Sequence, residues 1–298
     1  MKTLYWRFIP IIKRGLLKIL KKCGLLKHIN LEWFFSINSV NFKIPIIQGI
    51  GYDNVFMTEM WMVEVLKQIL PLKPGVFLDV GANIGQTLLK LRSVSKTDTY
   101  LGLEPNPTCA AYMGNLLRAN RFNKSIFISV GLHNSRDLLE LSLFAEGNTV
   151  DSGATLVTDP AFRPLHPVVF KQPVPVFPYQ DITKFLDGAV PGIVKIDVEG
   201  GELEVLDSLC DMIRIEHPFI LVEILPMGCE QDTLIKNVHI ETFFSELKYF
   251  IYRIEKDGER FVRLGQLNNI GVNTDPTGWD YLAIPSESLA LIPKNLIY

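Results

Sequence analysis

The 298-residue sequence predicts an α/β fold, a doubly wound and mostly parallel sheet with helices on both faces, preceded by a basic amphipathic helix. Three observations predict it. Short β-forming runs alternate with helical patterns from residue 76 to 224. Several strand ends carry an acid or a glycine turn, the place where open α/β sheets bind ligands. Residues 1 to 31 carry eight basic side chains and no acid.

The elements follow in chain order. Ile12, Leu16, Ile19, Leu20, Cys23 and Leu26 fall on one helical face, and Lys13, Arg14, Lys18, Lys21 and Lys22 on the other. Such a helix can lie on an anionic membrane, cover a flank of the domain, or pair with another subunit. No apolar run approaches the roughly 20 residues that span a bilayer. Charges interrupt the core that a signal peptide needs, and no small-residue cleavage site follows. Residues 40–47 read as a strand and 59–70 (EMWMVEVLKQIL) as an amphipathic helix stopped by Pro71 and Pro74. Then come strand 76–80, helix 85–93, strand 99–104, helix 108–120 and strand 125–131. Residues 138–144 add a strand in an insertion, and 148–178 read as a long, stiff, proline-rich loop of the kind used as a lid wall. A short helix at 181–186, strand 192–197, helix 202–213, strand 219–224 and helix 233–247 continue the alternation. A hairpin over 249–256 and 260–264 turns at Asp257-Gly258, and 279–284 is the last strand. We expect an N-terminal extension over 1–30 and one domain over 31–298, its ligand-binding core at about 70–226.

Composition narrows the function. With 48% hydrophobic and 21% charged residues the chain builds an ordinary globular core. Its four cysteines are dispersed without a CxxC pair, which fits a reducing, cytoplasmic setting and no zinc cluster. Beyond residue 31 there are 22 basic and 32 acidic residues, a poor platform for nucleic acid. The expected setting is therefore cytoplasmic, with peripheral contact at the membrane inner face through residues 1–30.

VFLDVGANIGQTLLK (76–90) is the most informative stretch. It lacks the middle glycine of the dinucleotide fingerprint G-x-G-x-x-G and has no Walker lysine. Asp79 just ahead of the turn would repel a pyrophosphate unless something neutralised it. A cationic, phosphate-free cofactor reverses that logic. S-adenosylmethionine carries a sulfonium and an amino group that a carboxylate attracts. Gly81 and Gly85 admit close backbone approach. Glu104, at the next strand end in YLGLEPNP, is placed to accept both ribose hydroxyls.

DVGANIGQT, LEPNP, KIDVEGGELEVL and VEILP (222–226), in this order and spacing, resemble the FkbM family of S-adenosylmethionine-dependent methyltransferases. The resemblance runs from about Gly49 to Pro226. It implies a seven-strand sheet of the Rossmann-like methyltransferase type, the last strand antiparallel, and methylation of a hydroxyl on a sugar, glycan or natural product. By motif match Asp79, Gly81, Asn83 and Gly85 line the methionyl side, and Glu104 holds the ribose with Asn106 nearby.

Methyl transfer needs the acceptor oxygen in line with the sulfonium carbon, and proton removal helps a weak hydroxyl nucleophile. Asp197 and Glu223, at consecutive strand ends, are the carboxylates expected near the methyl. Either can act as base, and Asp197 can instead hold a divalent metal, although no ligand spacing compels one. Lys195 lies in the same segment without a readable direction. His133 and His166 are the histidines placed to contribute. In the long loop, Ser152, Thr155 and Arg163 suit a cofactor carboxylate or a polar acceptor. Two rivals keep the fold: a protein, lipid or nitrogen acceptor, and a membrane-peripheral assembly subunit without catalysis. A nicotinamide dehydrogenase fits the turn poorly.

Overall fold

The computed structural model describes residues 14–144, 150–157 and 167–297. Ile12, Lys13, Arg163 and His166 lie outside the described residues. A helix, α1, covers 14–22. It leads into a hairpin of β1 (Asn30–Ile37) and β2 (Val40–Ile47), of which the sequence predicted only the second strand. After the short α2 (Tyr52–Val55), α3 (Trp61–Ile69) lies within the predicted helix.

The α/β alternation then runs as expected. It comprises β3 (Val76–Val80), α4 (Gln86–Val94), β4 (Tyr100–Leu103), α5 (Pro107–Asn120) and β5 (Ser125–Ile128). An insertion follows: β6 (Gly131–Leu132), β7 (Asp137–Leu143) and β8 (Phe170–Phe177). The chain returns through α6 (Tyr179–Ile182), β9 (Pro191–Ile196), α7 (Glu202–Glu216), β10 (Phe219–Glu223) and α8 (Glu230–Glu246). It ends with β11 (Tyr249–Asp257), β12 (Arg260–Gln266), β13 (Asp280–Pro285) and α9 (Lys294–Ile297).

The main sheet has eight strands, not seven, in the order β12-β11-β13-β10-β9-β3-β4-β5. The extra strand is the second arm of the predicted hairpin, which hydrogen-bonds to β11 and becomes an edge. β13 is antiparallel to both β10 and β11, and β12 to β11, so the sheet is mixed, with a parallel half from β5 to β10.

Both faces of the sheet are covered, which explains why its central strands are apolar except for the paired Asp79 and Lys195. Alternate residues go to opposite layers. Phe77 and Ile193 join Trp61, Leu88 and Met113 on one side, with the β1–β2 hairpin. Leu78, Val80, Val194 and Ile196 join Leu206 and Leu209 of α7 and Ile240 and Phe244 of α8 on the other.

The insertion departs from the sequence reading. Residues 125–131 are not one strand, because β6 leaves the main sheet and pairs with β8 in a separate order, β6-β8-β7. β8 lies in the segment read as loop. Its prolines mask a regular alternation in which Val174 and Val176 are buried while Pro173 and Pro175 face outward.

Candidate functional site

Strands β3, β4, β9 and β10 end at one edge of the sheet and deliver their following residues to one cavity of about 730 Å³. The insertion forms a further wall through Leu139, Leu141 and Leu156. Thr155 ties this wall down. Its hydroxyl donates to the Glu199 carbonyl (2.7 Å), and its backbone pairs with Ser142.

The glycine turn follows from close packing. Gly81 has φ +82°, and a Cβ there would sit 1.8 Å from the Asp197 carbonyl oxygen. The turn therefore presses against the end of β9. Gly85 has φ +81° and starts α4, but a Cβ there would strike Met113 and Leu116 of α5. Gly81 and Asn83 line the cavity, whereas Gly85 serves helix packing behind it.

Glu104 lines the cavity at the end of β4. One carboxylate oxygen accepts the Asn106 N–H (2.8 Å) and the other the Asn83 N–H (3.0 Å). Each oxygen keeps a further lone pair for a hydroxyl donor. Burial pushes its pKa up, to about 7, against the pull of these two N–H groups. Asn106 is buried and does not line the cavity; its side chain caps α5 by accepting the Thr108 N–H.

Asp79 lies behind the wall. It is fully buried, accepts a hydrogen bond from the Tyr100 hydroxyl (2.7 Å), and lies 3.5 Å from the Lys195 ammonium. Gly102 makes room for that hydroxyl, since a Cβ there would meet it at 2.6 Å. Burial raises the Asp79 pKa, with Lys195 and Tyr100 opposing. Lys195 stands opposite Asp79 in the β3–β9 register and also donates to Asp197 (2.9 Å). Burial alone would lower its pKa, but Asp197 and Asp79 outweigh that and hold it above the ordinary lysine value. Its pairing with Asp79 could not be read from sequence, because Asp79 lies on a strand more than a hundred residues away.

Asp197 and Glu223 both line the cavity. The Asp197 side chain is 32% exposed, so water reaches it. Burial opposes its ionisation, but Lys195 and a hydrogen bond from Glu223 win and lower its pKa. Glu223 shifts the other way, raised by burial and by the neighbouring Asp197 charge. The two carboxyls thus shift in opposite directions and titrate as a coupled pair. Ligand oxygens of Asp197, Glu199 and Glu223 lie within 4.8 Å of one another, close enough to hold a divalent ion.

A buried ion pair fixes this end from behind. Glu202 accepts the Gly200 N–H (2.8 Å) and pairs with Lys236 (3.0 Å), which also donates to the Leu225 carbonyl. Glu59, which the sequence reading passed over, lines the cavity and pairs with the buried Lys90 ammonium (3.0 Å). Ser152 and His133 line it too, whereas the Thr155 hydroxyl is spent on Glu199. Among the described lining residues, eight are acidic against one lysine and one histidine.

Comparison with curated proteins gives no match. Among solved structures, the chain is similar to methyltransferase FkbM from Methylobacillus flagellatus KT, with 16% identity over 71% of this chain and 43% of that longer one, at a TM-score of 0.43. It is also similar to fibrillarin from Aeropyrum pernix in complex with S-adenosyl-L-methionine, with 12% identity over 85% and 81% of the two chains, at a TM-score of 0.40. The model of the methyltransferase FkbM domain family matches residues 79–258, more than half of the sequence, and the chain therefore belongs to that family.

Proposed function

We propose that this chain is an S-adenosylmethionine-dependent methyltransferase whose domain spans 31–298, with the cofactor-binding core at about 70–226. Its acceptor is a hydroxyl on a sugar, glycan or natural-product-like molecule. One observation carries the reading: Gly81, Asn83 and Glu104 share a single cavity with Asp197 and Glu223. The donor chemistry fits the cofactor. The one described lysine on the wall is committed to Asp79 and Asp197, so among the described residues no lysine or arginine there is free for a pyrophosphate. When bound, S-adenosylmethionine supplies an electrophilic methyl on a sulfonium.

The residues divide the work. Glu104 accepts two ribose hydroxyls through its remaining lone pairs. Gly81 and Asn83 shape the methionyl side, and Ser152 donates from the insertion. Asp79 contributes at one remove, by holding Lys195 under the turn. Asp197, whose pKa is lowered, is the carboxylate that takes a proton from an acceptor hydroxyl, and Glu223, whose pKa is raised, hydrogen-bonds to it. An acid-lined wall repels phosphates and carboxylates but accepts hydrogen bonds from polyols, which favours a neutral acceptor. The same wall suits an amine, and that is the second reading. A divalent ion at Asp197, Glu199 and Glu223 would acidify the acceptor hydroxyl. The dispersed cysteines support a cytoplasmic setting, with residues 1–30 touching the inner face of the membrane.

Calorimetry with S-adenosylhomocysteine tests the cofactor. The wild-type chain should bind it, and Glu104→Ala should weaken binding about 100-fold, the worth of two charge-assisted hydrogen bonds. Absence of binding by the wild-type chain would leave the non-catalytic assembly role.

A further inference from the structure

Helix α1 docks on the domain by an unexpected side. Leu17 is fully buried and Leu20 partly so. The basic residues beside them stay exposed but lie along the domain's aromatic rim. The Arg14 guanidinium lies 5.0 Å from the Phe35 ring centroid and 5.7 Å from that of Phe56, and donates to the Val55 carbonyl (3.0 Å). Lys18 lies 5.2 Å over Phe56. Lys21 lies 3.9 Å over Tyr52 and 3.4 Å from the Asp53 carboxylate.

The opposite face is left in solvent. Leu16 is 54% exposed and Ile19 59%, with Cys23 exposed beside them. Lys22 flanks this strip, and residues 1 to 13 add Lys2, Arg7 and Lys13 without an acid. Beyond residue 31 acids outnumber bases by 32 to 22. An anionic lipid surface therefore attracts this end and repels the rest, which fixes how the protein would land. Leu16 and Ile19 are free to enter the lipid interface, and each nearby lysine adds about 1 kcal/mol on such a surface. The helix is also tied to the site. Asp53 and Phe56, which it grips, both line the cavity.

We infer that α1 seats the protein on anionic lipid through Leu16 and Ile19, and that the cavity, tied to α1 through Asp53 and Phe56, takes as its acceptor a hydroxyl on the uncharged sugar headgroup of a membrane lipid. The acceptor part rests on the methyltransferase reading; the docking part does not. The test is flotation of the full chain with vesicles of phosphatidylcholine containing phosphatidylglycerol, or of phosphatidylcholine alone. The wild-type chain should float only with the anionic vesicles, and the double variant L16E/I19E should bind them at least tenfold more weakly. Both side chains are exposed, so the variant should fold and bind S-adenosylhomocysteine like the wild type, which separates failure of docking from failure of the site. Equal flotation of the two proteins, or none by the wild type, overturns the docking. A dimer that the variant converts to monomer, without a change in flotation, would give the strip to a second copy and overturn it too. For the acceptor, labelled methyl from S-adenosylmethionine should enter the organic phase of a polar lipid extract, about tenfold less with the variant. Label entering only water-soluble glycans would overturn the lipid-borne acceptor.

Discussion

The ends of β3 and β9 lie side by side, and each carries an aspartate held by the same lysine, yet the two have opposite characters. Asp79 is sealed behind the wall, its charge answered by Lys195 and Tyr100, with its pKa raised by burial. Asp197 opens onto the cavity beside Glu223, with its pKa lowered chiefly by Lys195. On the proposed reading the β3 end is a foundation and the β9 end a working surface. An acid at a strand end marks the edge of a site, but burial and partners decide whether it touches the ligand or braces what does.

Three perturbations would break or sharpen this contrast. The largest effect is expected at Asp197. On the proposed reading, Asp197→Asn removes the proton acceptor and should lower turnover by about 10²- to 10⁴-fold while S-adenosylhomocysteine still binds. Near-normal turnover, followed as S-adenosylhomocysteine release with a methyl-accepting substrate, would move the base elsewhere. Lys195→Met should come next, because it leaves Asp79 buried without its cation. We expect a loss of about 3–5 kcal/mol in urea unfolding. Without Lys195 the Asp197 pKa rises, so the acid limb of the rate profile should move to higher pH; an unmoved limb would mean that Lys195 only props the fold. The smallest effect concerns Glu104. Its carboxyl is raised to about 7, so it is protonated below that pH and ionised above it. Accepting two ribose hydroxyls needs the ionised form. Affinity for S-adenosylhomocysteine should therefore rise about tenfold from pH 6 to pH 8, and isothermal titration across that range should show it. The same shift works against folding: stability falls as pH rises from about 4.5 to 7, where the unfolded chain ionises first. A flat binding profile would mean that Glu104 does not meet the ribose.

Much of this architecture was legible in the sequence, for physical reasons. Parallel strands buried on both faces are mostly apolar, so β3, β4, β9 and β10 stand out despite Asp79 and Lys195, and the residues after them mark the cavity edge. What depended on distant packing was not legible. Lys195 meets Asp79 only through the β3–β9 register. Glu59 reaches the wall through Lys90 of a later helix. Hydropathy alone assigned Leu16, Ile19 and Leu20 to one docking face of α1. Instead Arg14, Lys18 and Lys21, though exposed, lie against aromatic rings and an acid of the domain, and Leu17 anchors the helix. The eighth strand was visible as a hairpin arm, but hairpin chemistry is local and does not say which sheet the arm will extend.

The Glu202–Lys236 pair has a thermal consequence. It joins the backbone just after Asp197 to the backbone just after Glu223, through the Gly200 N–H and the Leu225 carbonyl. Neither carboxylate can wander on its own while that staple is closed. On warming, the two strand ends should loosen together as one cooperative unit, well before the apolar layers around them melt.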